Sequence, residues 1–147
     1  RHDASIVWRG ESDTEVILEM IARFGLERTL QRLVGMFAFG LWDLHEKCLY
    51  LCRDRVGEKP LYYVVEDDQV AFASELAALK CLTTRELEID RRSLALYMQY
   101  SYVPAPFSIY KNVYKVKPGC YLAVKRQNAR RRKNLVDGSA CGFRITI

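Results

Sequence analysis

Between Gly35 and Tyr63 the chain reads GMFAFGLWDLHEKCLYLCRDRVGEKPLYY, and no other stretch limits the possible folds as tightly. Two apolar runs, Met36–Trp42 and Cys48–Cys52, flank the polar connection Asp43-Leu44-His45-Glu46-Lys47. This pattern predicts a β-hairpin. Alternate residues of the first run are apolar on both sides: Met36, Ala38 and Trp42 on one, Phe37, Phe39 and Leu41 on the other. A strand apolar on both faces needs cover on both, so the hairpin is expected between packed layers. It empties into Arg53-Asp54-Arg55-Val56-Gly57-Glu58-Lys59-Pro60, a dense charged loop. Burying such a loop is costly unless its charges pair with each other.

At 147 residues and 50% hydrophobic, the chain can enclose one sizeable core. No apolar run reaches the length of a membrane span and no N-terminal signal pattern is visible, so the expectation is a cytoplasmic protein without a membrane partner. The five cysteines include no C-x-x-C pair, and an odd count leaves at least one outside any intramolecular disulfide. Cys48 and Cys52, four apart on a strand, are too distant for a disulfide or a shared metal. Reduced, buried cysteines follow.

The net charge of +5 hints at nucleic acid, but its placement argues otherwise. From Lys125 onward seven bases face the single acid Asp137, so that segment alone is +6 and the preceding residues are −1. The basicity belongs to a tail.

Ahead of the hairpin, Ser12-Asp13-Thr14-Glu15 fits a capping box. The helix behind it puts Val16, Ile17, Met20, Ile21 and Phe24 on one face, and Gly25 ends it. A shorter helix carries Leu26, Leu30, Leu33 and Val34. Beyond the charged loop, Leu61–Val65 and Val70–Ala73 read as strands around the acidic turn Glu66-Asp67-Asp68. Ser74 is expected to cap the short helix Glu75–Lys80, and Asp90 a helix holding Leu94, Leu96, Tyr97 and Tyr100. The prolines exclude a helix over Tyr102–Phe107, Pro118-Gly119 marks a turn, and Tyr121–Val124 is a last strand. Residues 125–147 show neither helical nor strand periodicity. Helices followed by a strand meander predict an α+β fold with largely antiparallel sheets.

The residues themselves say more. Ser12-Asp13-Thr14-Glu15-Val16, Gly35-Met36-Phe37-Ala38-Phe39, Leu41-Trp42-Asp43, Arg53 to Tyr63, Ser74-Glu75-Leu76, Ile89-Asp90-Arg91 and Tyr102-Val103-Pro104-Ala105-Pro106 occur in that order. Together they closely resemble the glutaminase domain of glutamine-hydrolysing asparagine synthases, which are class II glutamine amidotransferases. The likeness runs from about Trp8 to Leu122. It implies an N-terminal-nucleophile hydrolase-like αββα sandwich of largely antiparallel sheets. It also implies a mechanism in which the thiolate of an N-terminal cysteine attacks the glutamine side-chain amide while its own α-amino group handles the proton. Ammonia then passes to a synthetase domain, where ATP and Mg are expected to activate the carboxylate of aspartate.

One residue carries over to the substrate. Asp13 matches the family position whose carboxylate holds the α-ammonium of glutamine, and free N–H groups at a helix N-terminus stabilise such a charge. Taken alone, Asp13 or Ser12 is better explained by capping; the family motif around Asp13 reverses that preference toward the substrate role. No catalytic, cofactor or metal residue carries over. Arg1 stands first, the Ser-Gly-Gly-rich ATP loop has no counterpart, and Gly138-Ser139 does not replace it. The expectation is therefore a fragment, with residues 1–124 a partial amidotransferase domain, inactive alone. Its partners would be glutamine and the missing synthetase domain, and its apolar surface would favour self-association. Residues 125–147 are expected to be disordered or frame-shifted, which the encoding DNA past codon 124 would reveal.

The charges of Arg53, Asp54, Arg55, Glu58 and Lys59 suggest a scaffold ion network more than catalysis. Met36 either lines an ammonia channel or fills the core, Ser74-Glu75 either faces the synthetase domain or caps a helix, and Tyr102–Phe107 is a docking segment or a rigid loop. His2 and His45 receive no role. Gly40 and Cys52 stand where the family commonly has alanine, and Ala77 where it commonly has lysine. Two alternatives belong to other function classes: a non-catalytic interaction module derived from the same fold, and a weak nucleic-acid binder acting through the tail. The tail lacks aromatic residues through Asn134, so it offers only salt-sensitive phosphate binding.

Overall fold

The structure, a computed structural model, describes residues 8–66 and 69–125 together with the backbone of Gly142–Thr146. His2, Asp67, Asp68, Cys141 and residues 126–141 of the basic tail lie outside the described residues. Two compact units divide the chain after Gly35.

The first unit holds α1 (Asp13–Phe24) and α2 (Leu26–Arg32). Gly25 separates them at φ 79°, a left-handed conformation that glycine adopts without strain. The same residue closes both helices. Its N–H donates to Ile21 O at 2.8 Å, and its carbonyl accepts the Thr29 hydroxyl at 2.8 Å. Thr29 is thereby buried with its hydroxyl satisfied.

The second unit is built from two small sheets. One runs β1 (Ala38–Asp43), β2 (Cys48–Arg53), β6 (Tyr121–Lys125), β7 (Gly142–Thr146); the other runs β4 (Gln69–Ala73), β3 (Tyr62–Glu66), β5 (Val113–Lys115). All pairings are antiparallel except β6 with β7. Together with α3 (Leu76–Leu82) and α4 (Arg91–Tyr100) this makes an α+β fold.

The hairpin forms with Asp43 opposite Cys48, and the Asp43 carboxylate accepts the His45 and Glu46 N–H groups at 2.8 and 2.9 Å. Such an Asx arrangement is why aspartate opens the turn. Lys47, at φ 49°, completes the reversal.

The expectation of cover on both faces holds for β2 and fails for β1. In β2, Leu51 and Cys52 are both fully buried although they point to opposite faces. Among the described residues β1 lies at the sheet edge; it starts at Ala38 rather than Met36 and has no buried residue, and Met36 and Trp42 are exposed. Both runs are apolar on alternate sides, so the strand with neighbours on each side could not be identified from the pattern.

Leu51, Leu122 and Val124 from the first sheet pack with Leu61 and Val116, and Tyr63 and Val70 of the second sheet join them. A second cluster, Val64, Leu79 and Val113, fixes α3 to the second sheet. Gly40 sits where the sheets approach. A Cβ there would lie 2.7 Å from Phe72 Cζ, which explains glycine in a strand that otherwise disfavours it.

Two further expectations need correction, and one holds. Glu75, not Ser74, is the N-cap of α3, and its side chain makes no capping bond. The expected Asp90-capped helix does form as α4, with Leu94, Tyr97 and Tyr100 exposed and Leu96 half-buried. Gly142–Thr146 is a strand although its periodicity predicts none.

Candidate functional site

Asp13 is the first residue of α1 and is exposed. Ser12 takes the cap position, its hydroxyl accepting the Thr14 N–H at 3.1 Å. The Glu15 carboxylate reaches back further than a standard capping box requires, accepting from Arg9 N at 2.8 Å and Gly10 N at 3.1 Å. Ser12 and Glu15 thus fix the approach to the helix without Asp13, whose hydrogen bond is a long one, 3.5 Å, from the Thr14 hydroxyl. The capping explanation therefore belongs to Ser12, and the Asp13 carboxylate faces solvent with capacity to accept further donors.

The charged loop in the second unit is built differently from the expected ion network. Asp54 is 2% exposed. Its Oδ1 accepts N–H bonds from Val56 (3.2 Å), Gly57 (2.6 Å) and Glu58 (3.0 Å), and its Oδ2 accepts from Lys59 (3.0 Å). Burial disfavours the charged carboxylate, but the backbone donors of Lys59, Glu58 and Gly57, with that of Phe37, outweigh it and hold the carboxyl below the usual range. Arg53 is the counterpart. Its guanidinium donates to three carbonyls: Lys59 at 2.8 Å, Val116 at 2.7 Å and Gly57 at 2.5 Å. The two side chains satisfy opposite poles of the backbone rather than opposite charges.

The same loop is stapled to the Pro118-Gly119 turn. Gly119 N donates to Asp54 O at 2.7 Å, Arg53 N donates to Cys120 O at 3.1 Å, and Cys120 N closes the turn on Lys117 O at 3.2 Å. Proline followed by a glycine at φ 67° suits a type II turn. Around this frame Arg55, Val56, Glu58 and Lys59 are exposed. The frame positions backbone; it contains no nucleophile–base pair.

Cys48, Cys52 and Cys120 are buried thiols outside any disulfide, and burial pushes the Cys52 thiol up to about 12, so it is held as an unreactive neutral group. Cys81 is exposed on the last turn of α3. Among the described residues no group of three or more His, Cys, Asp or Glu side chains is arranged to hold a metal ion. Met36 is exposed, and Ser74-Glu75 lies at the start of α3 without a capping bond. The loop 102–107 is fixed to β5: Lys115 donates to Val103 O through Nζ and to Pro106 O through its backbone N–H at 2.7 Å. Burial and the nearby Arg53 guanidinium lower the Lys115 pKa. His45 only donates its N–H to the hairpin turn.

Residues 2–134 match the glutamine amidotransferase domain family. The chain belongs to that family. It is 40% identical over 115 residues to asparagine synthetase (glutamine-hydrolysing) 1 of Bacillus subtilis, covering 78% of this chain and 18% of the relative. A putative asparagine synthetase of Methanocaldococcus jannaschii is 35% identical over 109 residues, 72% of this chain and 21% of its own. A protein named amidase chyE from Penicillium rubens is 33% identical over 121 residues, 82% of this chain and 17% of its own. The chain thus spans about a fifth of the length of the curated relatives it matches. Among the described residues no helix is long and apolar enough to cross a membrane.

Proposed function

We propose that this amidotransferase domain handles glutamine for a glutamine-hydrolysing asparagine synthase-like enzyme, with Asp13 holding the α-ammonium of the substrate. The observation that carries the reading is the division of labour at α1. Ser12 provides the cap, leaving the Asp13 carboxylate exposed at a helix N-terminus within a family that acts on glutamine. An ammonium held there by a charge-assisted bond would orient the amino acid and leave its side-chain amide free to reach a nucleophile.

In this reading a thiolate attacks the amide carbon, ammonia departs, and water hydrolyses the thioester to glutamate. Burial of Cys48, Cys52 and Cys120 argues against those thiols as the nucleophile. The two sheets would form the central layers of the N-terminal-nucleophile αββα sandwich, and residues 1–124 the amidotransferase part proper. Ammonia would be consumed by a synthetase domain in which ATP and Mg activate aspartate. Reduced cysteines, buried at Cys48, Cys52 and Cys120 though exposed at Cys81, would suit a cytoplasmic setting.

The test grafts the chain in place of the stretch it matches in the Bacillus subtilis relative and measures two activities. Asp13→Asn is expected to raise KM for glutamine by about tenfold or more, the loss of one charge-assisted contact, while synthesis from free ammonia is unchanged. An unchanged KM would remove Asp13 from the site.

A further inference from the structure

Helix α4 is the element that the amidotransferase reading leaves unused. It runs ten residues, Arg91–Tyr100, and among the described residues its backbone approaches no other helix or strand. It is held at its ends: Asp90 caps it through Arg92 N at 2.9 Å, Asp90 N donates to Ile109 O at 2.9 Å, and Ser101 closes it at φ 61°. A helix this short is marginal in water unless one face packs, which here is the face of buried Ser93 and half-buried Leu96. Yet Leu94 is 41% exposed, Tyr97 49% and Met98 77%, and these three lie at the i, i+3, i+4 spacing of one face. Tyr100, the last residue of the helix, and Tyr102 just beyond it are 52% and 61% exposed with ring centroids 6.4 Å apart. Aromatic residues and methionine are the types enriched at the centre of interfaces.

The area indicates which occupant fits. Five large side chains about half exposed present roughly 500 Å². A stable complex between separate molecules uses about 800 Å² per partner. Two domains of one polypeptide associate through interfaces of roughly 600–1,500 Å², at the small end of which this face falls. Tethering supplies the remaining affinity as a high effective concentration. The relatives, of which this chain spans 18–21%, contain much further polypeptide.

We propose that α4 and Tyr102 are the docking face for the larger part of a relative-type chain, its synthetase portion, through an apolar surface receiving Tyr97, Met98 and Tyr102. This rests on the asparagine synthase-like reading, but not on Asp13 or on glutamine turnover. Pulsed oxidation of Met98, followed by mass spectrometry, tests it in the full 147-residue chain and in the same chain grafted into the Bacillus subtilis relative. Met98 is expected to react rapidly in the free chain and at least tenfold more slowly in the graft. Equal rates in both would overturn the proposal. So would protection already present in the free chain, which would assign the face to a second copy or to the α1–α2 unit. A graft with protected Met98 and an Asp13→Asn variant of unchanged KM would retain the docking face while rejecting the glutamine contact.

Discussion

Asp54 shows how a charge is kept inside a small protein by main-chain donors alone. Asparagine in its place would turn an amide donor toward N–H groups and leave part of the shell unsatisfied. Asp54→Asn is therefore expected to destabilise the second unit by about 3 kcal/mol, read as a lower urea midpoint. The pH dependence has a definite sign. A carboxyl held below its ordinary value in the fold contributes fully above the unfolded value of about 4 and loses that contribution as pH falls through the lower folded value. The wild-type urea midpoint should thus fall as pH drops below about 4, and the Asp54→Asn midpoint should fall less. Gly57 belongs to the same frame. At φ 75°, with an added Cβ 2.7 Å from Pro118 Cγ and 3.1 Å from Arg53 Cζ, Gly57→Ala is expected to lose about 2 kcal/mol on thermal unfolding. An alanine variant as stable as wild type would show that the loop relaxes freely.

At the scale of elements, what was legible depended on whether the deciding interaction is local. The hairpin, α1 with its Ser12 cap, the end of α1 at Gly25 and the Asp90 cap of α4 all rest on contacts within a few residues, and each was readable. Ser12→Ala should accordingly lower the stability of α1 by about 1 kcal/mol, seen as faster amide exchange in its first turn. The charged loop was legible as a feature but not as a construction. Charge density signals side chains that need partners, whereas the partners here are N–H and carbonyl groups that carry no mark in the sequence. The edge position of β1, the strand Gly142–Thr146 and the exposure of α4 were hidden for another reason. Apolar spacing identifies a face that wants cover and is silent about which element supplies it. At the candidate site, Asp13 was visible through the motif around it; its release from capping required the geometry.

For the molecule as a whole, the features divide between scaffold and chemistry. The hairpin and the Arg53–Lys59 frame bring two strands and two loops into fixed relation, and the side chains that do so are consumed by backbone hydrogen bonds. The one carboxylate proposed for substrate lies in the other compact unit, on a helix whose cap is supplied by its neighbour. The most direct measurement compares glutamine with glutaramate, which has the same amide and carboxylate but no α-ammonium, in the grafted enzyme and its Asp13→Asn variant. If Asp13 holds that ammonium, the wild type should prefer glutamine in kcat/KM by about 100-fold, a charge-assisted contact of roughly 3 kcal/mol, and the variant should lose most of that preference. An equal preference for glutamine in both enzymes would contradict the assignment.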